Sequence, residues 1–265
     1  MADILRFERM DGIALLTLDR PGRLNSIGSD THALLRSALD AIESDPAVRA
    51  VVITGSGSAF SAGADITEMR TLTNAEAYEA FLHGFHDCYS RLAALRQPTI
   101  AAVNGLALGG GFELVLACDL RAAARTAKLG LPEIKLGTLP GAGGTQRLSR
   151  LVPMNIAKEL IIAGRTLDAD RAYTLGVLNL VTDPEQLLPR VLELARDIAS
   201  GPPRAMAAGK RLLDRGIGLG LSAALELEID TGRALFGQAE ALEGLSAFAE
   251  KRPPRFPSLA AEDAV

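Results

Sequence analysis

The sequence predicts a layered α/β fold. Two observations carry this. Up to about residue 125, short β-like runs alternate with helical runs, the pattern of sheets covered by helices. From about Thr145 the apolar spacing is mostly helical, so a helical C-terminal part follows an α/β core.

The elements follow in order. Residues 4–8 and 13–19 are short β-like runs joined by Met10-Asp11-Gly12, a hairpin signal. Residues 29–44 place Leu34, Leu35, Ala38, Leu39 and Ile42 at helical spacing, with Ser29 or Asp30 as the cap. Residues 48–54 read as a buried strand closed by Gly55-Ser56-Gly57, and a loop of small residues runs from Phe60 to Asp65. Residues 74–95 form a second helix, with Tyr78, Phe81, Leu82, Phe85, Tyr89 and Leu92 on one stripe. Residues 99–103 are another buried strand, ending at Asn104-Gly105; a glycine-rich helix start and a strand-like run at 120–124 come next. Helices are predicted at 145–151, 154–163, 168–175, 185–199, 203–215, 221–236 and 238–250, with one short strand at 177–181. The proline-rich run 252–257 cannot be helical, and 259–265 should fray. No fixed repeat of about 20–50 residues is visible.

Of the 265 residues, 48% are apolar and 23% charged, which suits a soluble globular enzyme and excludes a disordered chain. A net charge of −4 gives no bulk attraction to nucleic acid, so no nucleic-acid partner is expected. Cys88 and Cys118 sit in apolar surroundings and read as buried free thiols. The apolar window 99–117 holds Asn104, four glycines and Glu113, so a membrane span is rejected. Residues 1–4 lack a basic region followed by an apolar run, and a cytoplasmic location is expected.

The chemistry concentrates in four stretches. In Asn104 to Leu114, three glycines, Gly109, Gly110 and Gly111, run straight into an apolar helix. Without Cβ atoms the backbone can approach a ligand closely, and a helix start offers unpaired N–H groups to a developing negative charge. Glu113 lies just inside that helix among apolar neighbours, where a carboxylate must be capped, paired or used. The other stretches are Phe60 to Asp65, Leu131 to Gly137 with Glu133, and the glycine-rich loop Pro140 to Thr145. Taken alone each is bland: glycine loops are mostly tight turns, Glu133 is a solvated loop residue, and Asp65 is a loop-fixing acceptor. Asp119 suits strand-end hydrogen bonding. Competing motifs fail. The triple glycine is neither a dinucleotide fingerprint nor a P-loop, and Gly55-Ser56-Gly57-Ser58-Ala59 is only a truncated nucleophile elbow. His32, His83 and His86 lack metal-ligand partners and read as surface histidines, so no metal is expected.

Together these motifs resemble the crotonase (enoyl-CoA hydratase/isomerase) superfamily. The resemblance runs from about residue 4 to 256 and keeps the motif order. Its most specific parts are Phe60 to Asp65, Asn104 to Asp119 and Pro132 to Arg147; Ala247 to Arg252 also fits. It implies a spiral of β-β-α units with a helical C-terminal region, residues 1–200 forming the core domain and 201–265 the helical part at oligomer contacts. It also implies a homotrimer or a hexamer built as a dimer of trimers. By motif position, the backbone N–H groups of Ala64 and Gly110 would hold a thioester oxygen, and Glu113 and Glu133 would be the paired catalytic carboxylates. Ala62, Asp65, Ile66, Arg23 and Lys251 would contact the acyl-CoA substrate. No separate cofactor is implied, since coenzyme A belongs to the substrate.

The implied activity is enoyl-CoA hydration, giving a 3-hydroxyacyl-CoA. The alternatives are a double-bond isomerase on the same scaffold, which needs one proton shuttle, and a non-catalytic binding relative, against which both glutamates and the absence of a basic stripe argue. Two departures bear on affinity. The first CoA loop reads Arg20-Pro21-Gly22-Arg23-Leu24-Asn25, with its basic group displaced by one residue, so the reach of Arg23 to a CoA phosphate stays open. Thr67 replaces the lysine that often follows Gly-Ala-Asp-Ile. Phosphate binding then leans on Lys251 of the partner subunit or is weaker.

Overall fold

A computed structural model describes residues 4–257. Its strands are β1 (Leu5–Met10), β2 (Ile13–Leu18), β3 (Ala50–Gly55), β4 (Ala59–Ser61), β5 (Thr99–Val103), β6 (Leu106–Leu108), β7 (Leu120–Ala124), β8 (Lys128–Gly130), β9 (Thr166–Asp168) and β10 (Leu180–Thr182). Its α-helices are α1 (Ser29–Glu43), α2 (Ile66–Met69), α3 (Ala75–Ala94), α4 (Gly110–Ala117), α5 (Gly144–Leu148), α6 (Met154–Ile162), α7 (Ala169–Thr174), α8 (Pro184–Ser200), α9 (Pro203–Gly216), α10 (Leu221–Leu235) and α11 (Ala239–Ala249).

The first sheet has the order β1-β2-β3-β5-β7-β10, with β1 antiparallel to β2 and the rest parallel. The hairpin turn uses Asp11 and Gly12, both at positive φ, the geometry that matches strand twist in a two-residue loop. Strands β2, β3 and β5 are buried on both faces, so they read as continuous apolar runs rather than alternating ones. One face packs on α8 through Leu187, Val191, Ala195 and Ala199, spaced four apart. The other face carries the main core, with Leu35, Leu39 and Ile42 of α1 and Phe81, Phe85, Tyr89 and Leu92 of α3.

A second sheet, β4-β6-β8-β9, was not predicted. Each of its strands is three residues long, too short to show a period of two. The repeating unit is now clear. Strands β3, β5 and β7 enter the first sheet, the next strand (β4, β6 or β8) enters the second, and helical segments follow each pair. This is the expected spiral of β-β-α units. Four helices, α8 to α11, follow the last strand among the described residues.

Other expectations shift in detail. The strand expected at 177–181 lies at Leu180–Thr182, because Val177 and Leu178 are drawn into the core instead. Neither Ser29 nor Asp30 caps α1. Gly28 occupies the cap position, and the Glu68 carboxylate, from α2, accepts the Ser29 N–H at 2.9 Å. His32 is not a surface residue: it is 2% exposed. It shares the helical stripe of Leu35, Leu39 and Ile42 and meets Phe85 edge-on, with ring centroids 4.3 Å apart. Burial holds its imidazole down to a pKa of about 4. His83 is exposed, as is His86. Cys88 and Cys118 are buried free thiols. Asp119 does close a strand end, accepting from Thr99 N–H at 2.7 Å and pairing with Lys210 at 2.7 Å. Residues 252–257 are non-helical, and the fraying expected at 259–265 lies outside the described residues. Among the described residues, no helix is long and apolar enough to cross a membrane.

Candidate active site

The second sheet positions the site. Strand β4 ends just before the loop Ala62–Asp65, and β6 ends just before Gly109 and the start of α4. The two strands pair in parallel, so the two loops leave the same edge side by side. Their contact is tight: a Cβ on Gly63, whose φ is +95, would lie 2.6 Å from the Leu108 carbonyl oxygen and 3.0 Å from Gly110 N. Only glycine fits there.

This approach leaves two N–H groups facing one space. Gly110 is the first residue of α4, so its N–H has no acceptor one turn back. Ala64 forms a bridge with Ile27 in which Ile27 N–H donates to Gly63 O and Asp65 N–H donates to Ile27 O. The Ala64 N–H therefore points the other way, and a Cβ on Gly110 would lie 3.5 Å from it. The buried Tyr89 hydroxyl donates to the Gly110 carbonyl at 2.7 Å, and Phe85 packs on the Gly110 Cα. Helix α3 thus fixes the start of α4 from behind.

Glu113 is 2% exposed and sits one turn into α4. Its Oε1 accepts from Ala142 N–H and Gly144 N–H, both at 2.7 Å. These donors explain the glycine-rich loop 140–145, and they answer the demand that a buried carboxylate be capped. Burial raises the Glu113 pKa; the two N–H donors and the nearby Arg147 guanidinium oppose the rise. Both bonds use Oε1, which leaves Oε2 to the cavity that Glu113 lines.

Glu133 opens a 3-10 turn, Glu133–Leu136. It is half-buried rather than solvated, and its Oε2 is a buried oxygen without a hydrogen-bond partner. Burial, reinforced by the Glu113 charge, pushes its pKa up to about 7. Glu113 is therefore held by two loop donors and a cation, while Glu133, opposed only by a hydrogen bond from its own backbone N–H, is poised near neutrality.

Ala62, Ala64, Ile66, Gly110, Glu113 and Glu133 line one cavity of about 100 Å³. Further wall comes from Met69, Leu108, Gly109 and Pro132, from Tyr78, Phe81, Leu82 and Phe85 of α3, and from the segment between Leu136 and Ala142. Asp65 is not in this lining. Its carboxylate caps α2, accepting from Thr67 N–H at 2.9 Å, and pairs with Arg23 at 3.1 Å and Arg20 at 3.3 Å. Arg23 and Lys251 are likewise outside the lining, and both are exposed. Sequence reasoning did not assign Tyr89, Arg147 or the Ala142 and Gly144 donors to the site. The available signal was the buried Glu113 itself, which requires such partners.

The enoyl-CoA hydratase/isomerase family model matches residues 8–258. A crotonyl-CoA hydratase of Syntrophomonas wolfei is 41% identical over 250 residues, covering 94% of this chain and 96% of its own. A short-chain-enoyl-CoA hydratase of Clostridium acetobutylicum is 40% identical over 246 residues, covering 92% and 94%. The crystal structure of an enoyl-CoA hydratase from Bacillus anthracis superposes with a TM-score of 0.92 at 37% identity, over 96% of this chain and 99% of that one. The chain belongs to the enoyl-CoA hydratase/isomerase family.

Proposed function

We propose that this protein is an enoyl-CoA hydratase, adding water across the double bond of a 2-trans-enoyl-CoA. The observation that carries the reading is the placement of both carboxylates on the cavity reached by the Ala64 and Gly110 N–H groups. The thioester oxygen accepts from those two donors. As water attacks C3, negative charge gathers on that oxygen, where each donor is worth about 3–4 kcal/mol in the transition state. Glu113, ionised, takes a proton from the attacking water through Oε2. Glu133, neutral, gives its proton to C2. The hydroxyl ends on C3, the new hydrogen on C2, and one proton has passed from Glu133 to Glu113 by way of the substrate and water. No cofactor beyond the substrate's own coenzyme A enters.

An isomerase needs one shuttling carboxylate and would leave the second without a role. Crotonyl-CoA and a 3-enoyl-CoA assayed side by side separate the two. Hydration of crotonyl-CoA, falling at least ~100-fold in Glu113→Gln, supports the hydratase; isomerisation alone, surviving in that variant, supports the isomerase.

We place the CoA moiety at the mouth of this cavity, with the exposed Arg23, paired to Asp65 in the single chain, or Lys251 of the partner subunit as the candidate phosphate contact. Residues 1–200 form the core and 201–265 the assembly region of a trimer or a dimer of trimers. Helix α10 supports this: it buries none of its residues in the single chain and exposes Leu221, Leu225 and Ile229 on one stripe, an apolar face that suits a subunit contact. A cytoplasmic location belongs to the same reading and agrees with two free thiols.

A further inference from the structure

The acyl end of the cavity is bounded by two contacts between α3 and the segment after Glu133. The Tyr78 hydroxyl and Thr138 Oγ1 are hydrogen-bonded at 3.0 Å, and both residues line the cavity. Leu82 presses on Gly141, where an added Cβ would lie 2.6 Å from Leu82 Cδ2. These side chains are half-buried, whereas Phe81 and Phe85 are fixed in the core.

Their positions along α3 give a direction. Phe85 packs on Gly110 at the level of the thioester donors. Leu82 lies three residues toward the helix N-terminus and Tyr78 seven, about 4.5 and 10 Å along the axis. An acyl chain leaving the carbonyl along this wall meets Leu82 first and the Tyr78–Thr138 bond next. The volume agrees. An apolar cavity of about 150 Å³ takes one benzene, and this one holds about 100 Å³ for the reacting carbons and the tail together.

We infer that Leu82, seated on Gly141, and the Tyr78–Thr138 hydrogen bond form a latch that sets the acyl-chain length, admitting about four carbons. A longer chain must part α3 from the 136–142 segment. This rests on the acyl-CoA reading of the cavity, and it makes no use of the carboxylates.

The test is binding of saturated butyryl-CoA and octanoyl-CoA by calorimetry, since neither can be hydrated. An open channel strengthens binding about fourfold for each added methylene, so octanoyl-CoA would bind far more tightly. The latch predicts that it binds no more tightly than butyryl-CoA. In Leu82→Ala the octanoyl-to-butyryl affinity ratio should rise at least tenfold, and in Tyr78→Phe, which loses only the hydroxyl, by several-fold. Octanoyl-CoA binding tenfold more tightly to the wild type overturns the latch, as does an unchanged ratio in both folded variants. Crotonyl-CoA hydration in the same preparation keeps the two readings apart. Chain-length selection without hydration removes the hydratase and leaves the latch; hydration without selection does the reverse.

Discussion

Glu133 offers the sharpest test of the chemistry, because its environment predicts a pH profile as well as a loss. Its carboxyl is raised to about 7 by burial and by the charge of Glu113, and it must be protonated to donate to C2. About nine-tenths of it is protonated at pH 6, half at pH 7 and one-tenth at pH 8. The kcat/KM for crotonyl-CoA should therefore fall above pH 7, approaching tenfold per pH unit. Glu133→Gln removes both the proton and the ionisation. It should cost ~10²–10⁴ in rate, and its residual activity should not bend near pH 7. Glu113→Gln removes the neighbouring negative charge, so the bend in its residual activity should move to lower pH. The assay is loss of enoyl absorbance across pH 5.5–9 at substrate concentrations well below KM. A wild-type profile flat from pH 6 to 9, or a Glu133→Gln enzyme with near-normal turnover, would refute the assignment of Glu133 as the acid.

The remaining predictions concern the support around the site. Gly144→Ala places a Cβ 2.9 Å from Glu113 Cγ and Oε1, so turnover should fall by at least tenfold with a smaller change in acyl-CoA binding, read as kcat against Kd. Gly84→Ala drives a Cβ into the His32 ring; overpacking of a buried ring should cost about 1–3 kcal/mol in denaturant unfolding. His32, near 6.5 when unfolded and about 4 when folded, binds more protons in the unfolded chain between those values. Its contribution, about 3 kcal/mol from that difference, is complete above pH 6.5 and is lost as pH falls toward 4. His32→Leu should flatten unfolding free energy against pH in that window, and an unchanged slope would contradict it. Light scattering at micromolar concentration should give a trimer or hexamer, and Leu225→Asp with Ile229→Asp should lower the mass; a monomeric wild type would remove the role given to α10.

The legibility of the chain followed element length and burial. Helices α1 and α3 were readable because their apolar stripes repeat over 15 and 20 residues. Strands β2, β3, β5 and β7 were readable as apolar runs between turn residues. His32 was misread for an instructive reason. Its type suggested the surface, while its spacing from Leu35 and Leu39 placed it on the buried face, and spacing prevailed at the cost of an unpartnered Nε2. Glu113 shows the opposite case. An apolar neighbourhood marked it as a group needing partners, but nothing local names partners 29 and 31 residues away, at Ala142 and Gly144.

What the pattern could not show is what brings the site together. Strands β4 and β6 have three residues each, with no room for a period, yet their pairing sets Ala64 beside Gly110. Strand β8 adds to the same edge: Gly109 N–H donates to Gly130 O at 2.9 Å, three residues before Glu133. One short sheet thus fixes two backbone donors and the start of the segment bearing the acid. Its strands lie at the short limit of the usual length range, and the sheet is held by Phe60, Phe112 and Leu129 in the main core. The geometry of the donors is therefore a product of core packing rather than of the loops that carry them. Thinning that packing, as in Phe112→Ala, should loosen the Ala64–Gly110 approach before it exposes either carboxylate to solvent. Its signature would be a fall in turnover while the pH bend near 7 stays in place.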